Sequence, residues 1–334
     1  MELRNKTPLV SVLIPTFNDD LFLGASLECV LGQTLKNIEI ICIDDGSTDS
    51  TQGIIKQLQL KDKRIKLIIK TVNQGVSVAR NEAMKLATGK YFTFVDGDDL
   101  MDETLLEKAY ILAENTNSDM VIWDYLTFSN TSEILKNKNK DSILEFISPN
   151  DKISLLKRPA FSWVKMIKTK VAYDLEISFP EGLIREDIPV HWHLITSLDK
   201  IAVLPLKLSY YRLNPASLTH KKKKILLYIG IIKDNVKDYL IEANLYETYK
   251  NEFLRQQLNL LHGMYDSIKP EYKDEALALV KERLTAEHYD YINDVDTIRK
   301  PTKYFFLGLK GDIISKLKLN LWLTIRSLYR SVKK

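Results

Sequence analysis

Short apolar runs alternate with helically spaced ones along the first part of the chain. Leu9–Ile14 is an apolar run stopped by Pro15, and Leu21–Leu31 follows with helical spacing. Ile38–Ile43 is a second run, closed by the polar cluster DDGSTDS. Within that cluster Ser47, Thr48 and Asp49 are good N-caps for a helix carrying Ile54, Ile55 and Leu58 on one face. Ile65–Ile69 and Tyr91–Val95 are the third and fourth runs. Between them Val76–Leu86 has helical spacing and ends near Gly89, and Asp102 caps the next helix. Runs of this length, apolar but for one residue each (Ser11, Glu39, Lys66 and Thr93), suit strands buried on both faces. Their alternation with helices predicts an α/β fold, a mainly parallel sheet flanked by helices.

After a further run, Met120–Trp123, the alternation fades. Residues 124–160 read as irregular, with a polar tip around Asn137–Asp141. Helical segments are expected near 161–170 and 186–197, and strands at Ile201–Leu204 and Leu208–Tyr211. Lys221–Lys224 marks a composition shift, beyond which the pattern is almost wholly helical and rich in Leu, Ile, Lys and Tyr. The expected division is a catalytic domain over 1–220 and a helical C-terminal domain over 221–334.

Charge and cysteine content narrow the class. A net charge of +4 over 334 residues makes no general case for nucleic-acid binding. The two cysteines, Cys29 and Cys42, sit in apolar patterns without zinc-like spacing and read as buried thiols of a reducing compartment. Leu9–Ile14 is too short for a signal-peptide core, and no stretch reaches the roughly 18 apolar residues of a spanning helix. A cytoplasmic chain that does not cross the membrane is expected.

Ligands of an open parallel sheet collect outside the carboxyl ends of its strands. There the pattern places Pro15, Thr16 and Asn18, then Asp44 and Asp45, then Asp96, Gly97, Asp98 and Asp99. Converging carboxylates repel unless a cation or a donor-rich ligand intervenes. Hard oxygen ligands suit Mg²⁺ or Mn²⁺, which complete their shells with phosphates and water. No GxGxxG follows the first strand and no GxxxxGK[ST] occurs, which weighs against dinucleotide and P-loop folds. The structural alternative is that both acidic clusters are turn and cap residues only.

Four segments, VSVLIPTFN, IICIDDGSTDST, NQGVSVARNEAMKLATGKYFTFVDGDD and EGLIREDIPV, resemble in order and spacing the motifs of the inverting family 2 glycosyltransferases of GT-A fold, of the bacterial surface-polysaccharide type. The resemblance runs from Val10 to Thr219. It implies that Pro15 and Thr16 line the nucleotide base and ribose, with Asn18 beside them. It gives Asp45, or Asp44, the uracil edge, and sets Asn73, Gly75 and Arg80 over base and sugar-phosphate. Asp96, Gly97 and Asp98 form the DxD motif, Asp96 near ribose and sugar and Asp98 on Mn²⁺ or Mg²⁺. Asp187 resembles the catalytic base. Arg212 and Ser217 resemble the diphosphate contacts, and His220 is a further candidate metal ligand.

The implied reaction moves a hexose or N-acetylhexosamine from a UDP-sugar to a glycan or lipid-linked glycan in polysaccharide, capsule or lipooligosaccharide synthesis. Inversion needs a carboxylate to take the acceptor proton on the face opposite the leaving diphosphate. Asp187, at a helix start that favours its charged form, meets that need. Trp163 and Lys165 are candidates for acceptor contact or for packing. His191 and His193 read as core or surface residues rather than ligands. One rival reading is a non-catalytic nucleotide-sugar-binding or scaffold protein at a membrane. Another is a metal-dependent nucleotidyltransferase, whose basic Gly-rich loop LIPTFND lacks.

Residues 301–334 carry eight basic residues against one acid, Asp312, with apolar residues at helical spacing from Ile314 to Leu328. A basic amphipathic helix suits a membrane surface. The alternatives are a stripe packed on the rest of the chain, or self-association into a homo-oligomer.

Overall fold

The computed structural model describes residues 7–130, 151–213, 224–294 and 298–332. The chain forms two compact units, Met1–Ser217 and Leu218–Lys334. The polar tip near Asn137–Asp141, Ser217, His220 and most of the lysine run Lys221–Lys224 lie outside the described residues.

The first unit is built on one eight-stranded sheet. Its strands are β1 (Val10–Thr16), β2 (Ile38–Asp44), β3 (Ile65–Ile69), β4 (Tyr91–Phe94), β5 (Leu100–Met101), β6 (Met120–Phe128), β7 (Lys165–Lys168) and β8 (Ile201–Arg212). The order across the sheet is β3-β2-β1-β4-β7-β6-β8-β5. Helices α1 (Leu23–Leu31), α2 (Thr51–Lys61), α3 (Val76–Leu86), α4 (Leu105–Thr116), α5 (Lys152–Leu156), α6 (Thr169–Asp174) and α7 (Asp187–Ser197) flank it. All seven residues of β1 and all seven of β2 are buried, as strands covered on both faces must be.

The sheet is mixed rather than uniformly parallel. The β1–β2, β1–β4, β2–β3 and β6–β8 pairs are parallel, whereas β4–β7, β6–β7 and β5–β8 are antiparallel. Strand β7 replaces much of the helix expected over 161–170. There the chain makes a short 3₁₀ turn, Ser162–Val164, then β7, then α6. Lys165, Met166 and Ile167 are buried between β4 and β6, so two lysines at the strand's ends disguise a core strand. The two short strands expected after residue 200 are one strand, β8. Its pairing with β6 slips between Trp123 and Tyr125, and Pro205 falls in that slip. A residue without an N–H is tolerated where the ladder is interrupted.

The second unit is helical: α8 (Ile229–Glu242), α9 (Tyr246–Ser267), α10 (Lys273–Arg283), α11 (Ala286–Asp294), α12 (Lys300–Leu309) and α13 (Ile313–Val332). Its core holds Ile232, Val236, Leu240, Phe253, Leu258, Leu261 and Phe306. Lys233 is also buried there, donating to Gln256 Oε1 at 3.1 Å over the ring of Phe253. Among the described residues no helix is long and apolar enough to cross a membrane.

Candidate active site

The loop after β1 is held by its own polar residues. Thr16 donates its hydroxyl to Asp19 Oδ2 at 2.8 Å, and the Phe17 N–H reaches the same oxygen at 3.2 Å. Asn18 takes a left-handed conformation (φ 54°) that asparagine tolerates better than most residues. Its N–H donates to Ser47 Oγ at 2.9 Å and its Oδ1 accepts from Thr48 N–H at 2.8 Å. Asn18 thus ties the loop after β1 to the loop after β2.

Asp44 ends β2, Asp45 follows it, and both are buried. Asp45 is committed to the chain itself. It accepts from Gln74 N–H at 3.0 Å and Gly75 N–H at 2.7 Å, and it pairs with Lys70 Nζ at 2.7 Å. Gly75 has φ 97°, a left-handed backbone that only glycine adopts readily, and this turns its N–H onto Asp45. Asn73 lies exposed in the same turn. Asp44 Oδ2 accepts from Gln52 Nε2 at 2.8 Å and Ser47 N–H at 3.2 Å, while its buried Oδ1 has no partner among the described residues.

The Asp96-Gly97-Asp98-Asp99 turn follows β4. Gly97 is required by close approach, because a Cβ there would lie 2.5 Å from Asp19 Oδ2. Asp19, which sequence spacing did not single out, therefore packs directly against the DxD turn. Burial raises its pKa, with Asp96 and Asp49 adding to the shift and the bonds from Thr16 and Phe17 opposing it. Asp99 accepts the Arg212 N–H at 2.8 Å, and its other oxygen is buried without a partner among the described residues. Burial, then the charges of Asp96 and Asp98, push Asp99 up to about 9, against the opposing bond from the Arg212 N–H.

Arg212 supports the turn. Its Nε donates to the Asp98 carbonyl at 2.7 Å, and its guanidinium lies between the rings of Phe22 and Phe128, 4.4 and 4.5 Å from their centroids. Arg212, the expected diphosphate contact, is buried and braces the backbone of the DxD turn.

Arg80, on the core side of α3, joins the two sides of the site. Nη2 donates to Asp96 Oδ1 at 3.0 Å, and Nη1 donates to Glu186 Oε1 at 2.6 Å and Asp187 Oδ1 at 3.2 Å. Its side chain is 4% exposed, against 30% for Asp96 and 16% for Asp187. The carboxylates are therefore reachable and the cation is not. Burial alone would lower the Arg80 pKa, but Asp187, Asp96 and Glu186 reverse the shift and raise it. The fork of a guanidinium suits this junction, since its donors are fixed in one plane. Glu186 is raised by burial and by its neighbour Asp187.

Lys165 lies near Asp187. Its Nζ donates to the carbonyls of Ala160 at 2.8 Å and Phe161 at 2.5 Å. Burial pushes its pKa down to about 7, with Asp187 opposing. Lys165, Asp187, His191, Phe94 and Phe179 line a cavity of about 10 Å³, close to the space one water needs. Trp163 is packed rather than presented. Its ring stacks 4.8 Å from Phe161 and 5.7 Å from Tyr211, with Tyr125 edge-on. His191 is buried, and burial lowers the pKa of His193.

Of the expected site residues, Pro15, Thr16, Asn18, Asp44, Asp45, Gly75, Asp96, Gly97, Asp98, Asp187 and Arg212 stand on loops and element ends of the first unit, and Arg80 stands inside α3. Asn73 joins them through the Asp45 turn. The position of Arg80 on the buried face of α3, with Ala83 and Met84, is the signal that would have placed it inside, since a buried arginine needs carboxylates around it.

Residues 11–165 match the family model described as Glycosyl transferase family 2. That match is shorter than the resemblance read from the motifs, and it ends before Asp187 and Arg212. Glycosyltransferase GlyG of Streptococcus pneumoniae serotype 4 is 35% identical over 120 residues, 36% of this chain and 40% of the relative. An Escherichia coli relative, UDP-Glc:alpha-D-GlcNAc-diphosphoundecaprenol beta-1,3-glucosyltransferase WfgD, is 29% identical over 65% of this chain and 82% of its own. The chain spans less than half the length of the first curated relatives it matches, 31% of one and 40% of two. The structure of S. aureus TarS 1-349 in complex with UDP-GlcNAc superposes with a TM-score of 0.66 at 20% identity, covering 96% of this chain and 91% of that one. The fold is that of the GT-A glycosyltransferases. Over residues 11–165 the chain is thus similar to the family 2 glycosyltransferases.

Proposed function

We propose that this chain is an inverting glycosyltransferase of cell-surface glycan synthesis. It moves a hexose or N-acetylhexosamine from a UDP-sugar to a glycan or lipid-linked glycan. The carrying observation is the Arg80 fork, which holds Asp96 of the DxD turn and Asp187 by one rigid cation. A site for single displacement needs such a fixed separation between its leaving-group side and its base.

Asp187 takes the proton of the acceptor hydroxyl as that oxygen bonds to the anomeric carbon and the bond from that carbon to the diphosphate breaks, releasing UDP. Arg80 is a positioning residue, held away from the substrate and aligning both carboxylates. Asp44, with its unmatched Oδ1, suits the N–H edge of the base better than Asp45, whose oxygens serve the chain. Thr16, Asn18 and the 73–75 turn surround the same strand ends, and Ser217 and His220 complete the expected set from outside the described residues. The UDP moiety is supported by the UDP-GlcNAc complex of TarS and the UDP-Glc donor in the name of WfgD.

The carboxylates fit a hard divalent ion. Asp98, beside Asp96, would hold Mn²⁺ or Mg²⁺, and among the described residues no group of three or more His, Cys, Asp or Glu is placed to enclose one. Such a shell is completed by substrate phosphates and water. When bound, the ion neutralises charge on the departing diphosphate.

A lipid-carried acceptor places the enzyme at the inner face of the cell membrane. The test of this reading is a screen of UDP-sugars for Mn²⁺-dependent UDP release. One donor should be turned over well above the rest, and no release from any donor would count against it.

A further inference from the structure

Helix α13 uses only part of its circumference for packing. Asp312 caps it, accepting from Ile314 N–H at 3.0 Å, and Ser315 is buried, with Leu319 and Trp322 half-buried on the same side where α13 meets α12. The opposite side carries Ile313, Ile314, Leu317, Leu321 and Ile325, which stand 57–69% exposed. At 100° per residue these five fall within one third of the helix, a continuous apolar stripe on a helix of 20 residues. An uncovered stripe of that length is far from the scattered exposed leucines of an ordinary surface.

The charges around the stripe decide its occupant. Ile313–Val332 contains four basic residues, Lys316, Lys318, Arg326 and Arg330, and no acid. Lys316 and Lys318 are exposed, Lys318 bordering the stripe and Lys316 on the flank beyond its other edge. Pairing with a second copy would bring like charges together along Ile313–Val332, with only the capping Asp312 of each helix to answer them. The helix is too polar to cross a bilayer. An apolar stripe flanked by lysines, without acids, complements a surface of acyl chains beneath anionic headgroups.

We propose that α13 is an interfacial docking element, lying in the plane of an anionic phospholipid surface with Leu317 and Leu321 in the acyl region. The inference rests on the glycosyltransferase reading only for the purpose of docking, which is to bring the first unit to a lipid-carried acceptor. Adsorption itself is measured without turnover.

The test is cosedimentation of the full chain with vesicles of phosphatidylcholine alone or mixed with phosphatidylglycerol. The wild-type chain should pellet with the mixed vesicles, stay in solution with the neutral ones, and be released by molar salt. Leu317→Glu with Leu321→Glu should abolish pelleting. Lys316→Ala with Lys318→Ala should lower partitioning roughly thirty-fold, at the usual contribution of a lysine near an anionic surface. All four positions are solvent-exposed, and circular dichroism with lipid-free UDP release checks that each variant is folded and separates failure of docking from failure of the transfer reading. Absence of the wild type from the anionic pellet overturns the proposal, as does unchanged pelleting of the leucine variant. Concentration-dependent self-association that the leucine changes erase, without vesicle binding, assigns the stripe to a second copy instead.

Discussion

Arg80 Nη1 lies 3.2 Å from Asp187 Oδ1, although the two residues are 107 positions apart in the chain. The same guanidinium reaches Asp96 through Nη2 at 3.0 Å. Two carboxylates brought this close would repel and drift apart without a fixed cation between them. Arg80 sets their spacing, and its own burial keeps it out of reach of competing anions. The rings of Phe94 and Phe179, 5.8 and 5.3 Å from its guanidinium carbon, form part of its surroundings.

Arg80→Lys keeps the charge but loses the fork. The expected result is a fall in kcat of roughly a hundredfold, the scale of a displaced catalytic group, with a smaller change in donor KM. Stability should fall by about 1–3 kcal/mol, because one ammonium cannot replace all the bonds to Asp96, Asp187 and the buried Glu186. Steady-state kinetics and urea unfolding measure the two effects separately.

Gly97→Ala places a methyl against Asp19 Oδ2, where there is no room. The change should cost about 1–3 kcal/mol and weaken Mn²⁺-dependent activity, since the DxD turn must move. Asp19→Ala in the Gly97→Ala background should recover much of the stability, and a thermal-melt double-mutant cycle reads that coupling.

Asp99 should leave a signature in the pH dependence of stability. Its pKa in the folded chain, about 9, lies above the ordinary 3.8. Its contribution is therefore fully present below the ordinary value and lost as pH rises through the folded one. Melting in EDTA should show the wild type losing stability relative to Asp99→Asn as pH rises from about 4 to 9. Asparagine keeps the acceptor for the Arg212 N–H and has no proton to lose. A constant difference across that range would remove Asp99 as the titrating group.

The parallel half of the sheet was legible because its strands read as short, mostly apolar runs, as at Ile38–Ile43 and Ile65–Ile69, each broken by a single charge, Glu39 and Lys66. Strand β7 was not, because Lys165 and Lys168 interrupt its pattern and only the flanking β4 and β6 make it a core strand. The acidic residues at the strand ends were found by position alone. Their division of labour was hidden, because it depends on partners far along the chain. Asp45 read as a base contact and holds the 73–75 turn. Arg80, besides its expected place by the nucleotide, donates to the carboxylates of Asp96, Glu186 and Asp187, and Arg212 braces the Asp98 carbonyl with its side chain and Asp99 with its N–H. Asp19 carried no signal of its own, since its role arises from the missing side chain of Gly97.

The central claim is that Asp187 accepts the acceptor's proton while the DxD turn holds the donor. Its most direct measurement compares transfer and UDP binding for the wild type, Asp187→Asn and Asp98→Ala with the preferred donor. Asp187→Asn should lose transfer by roughly a hundredfold or more, the contribution of a general base, while binding UDP as the wild type does. Asp98→Ala should lose transfer together with its Mn²⁺ dependence. Turnover of Asp187→Asn at the wild-type rate would contradict the account.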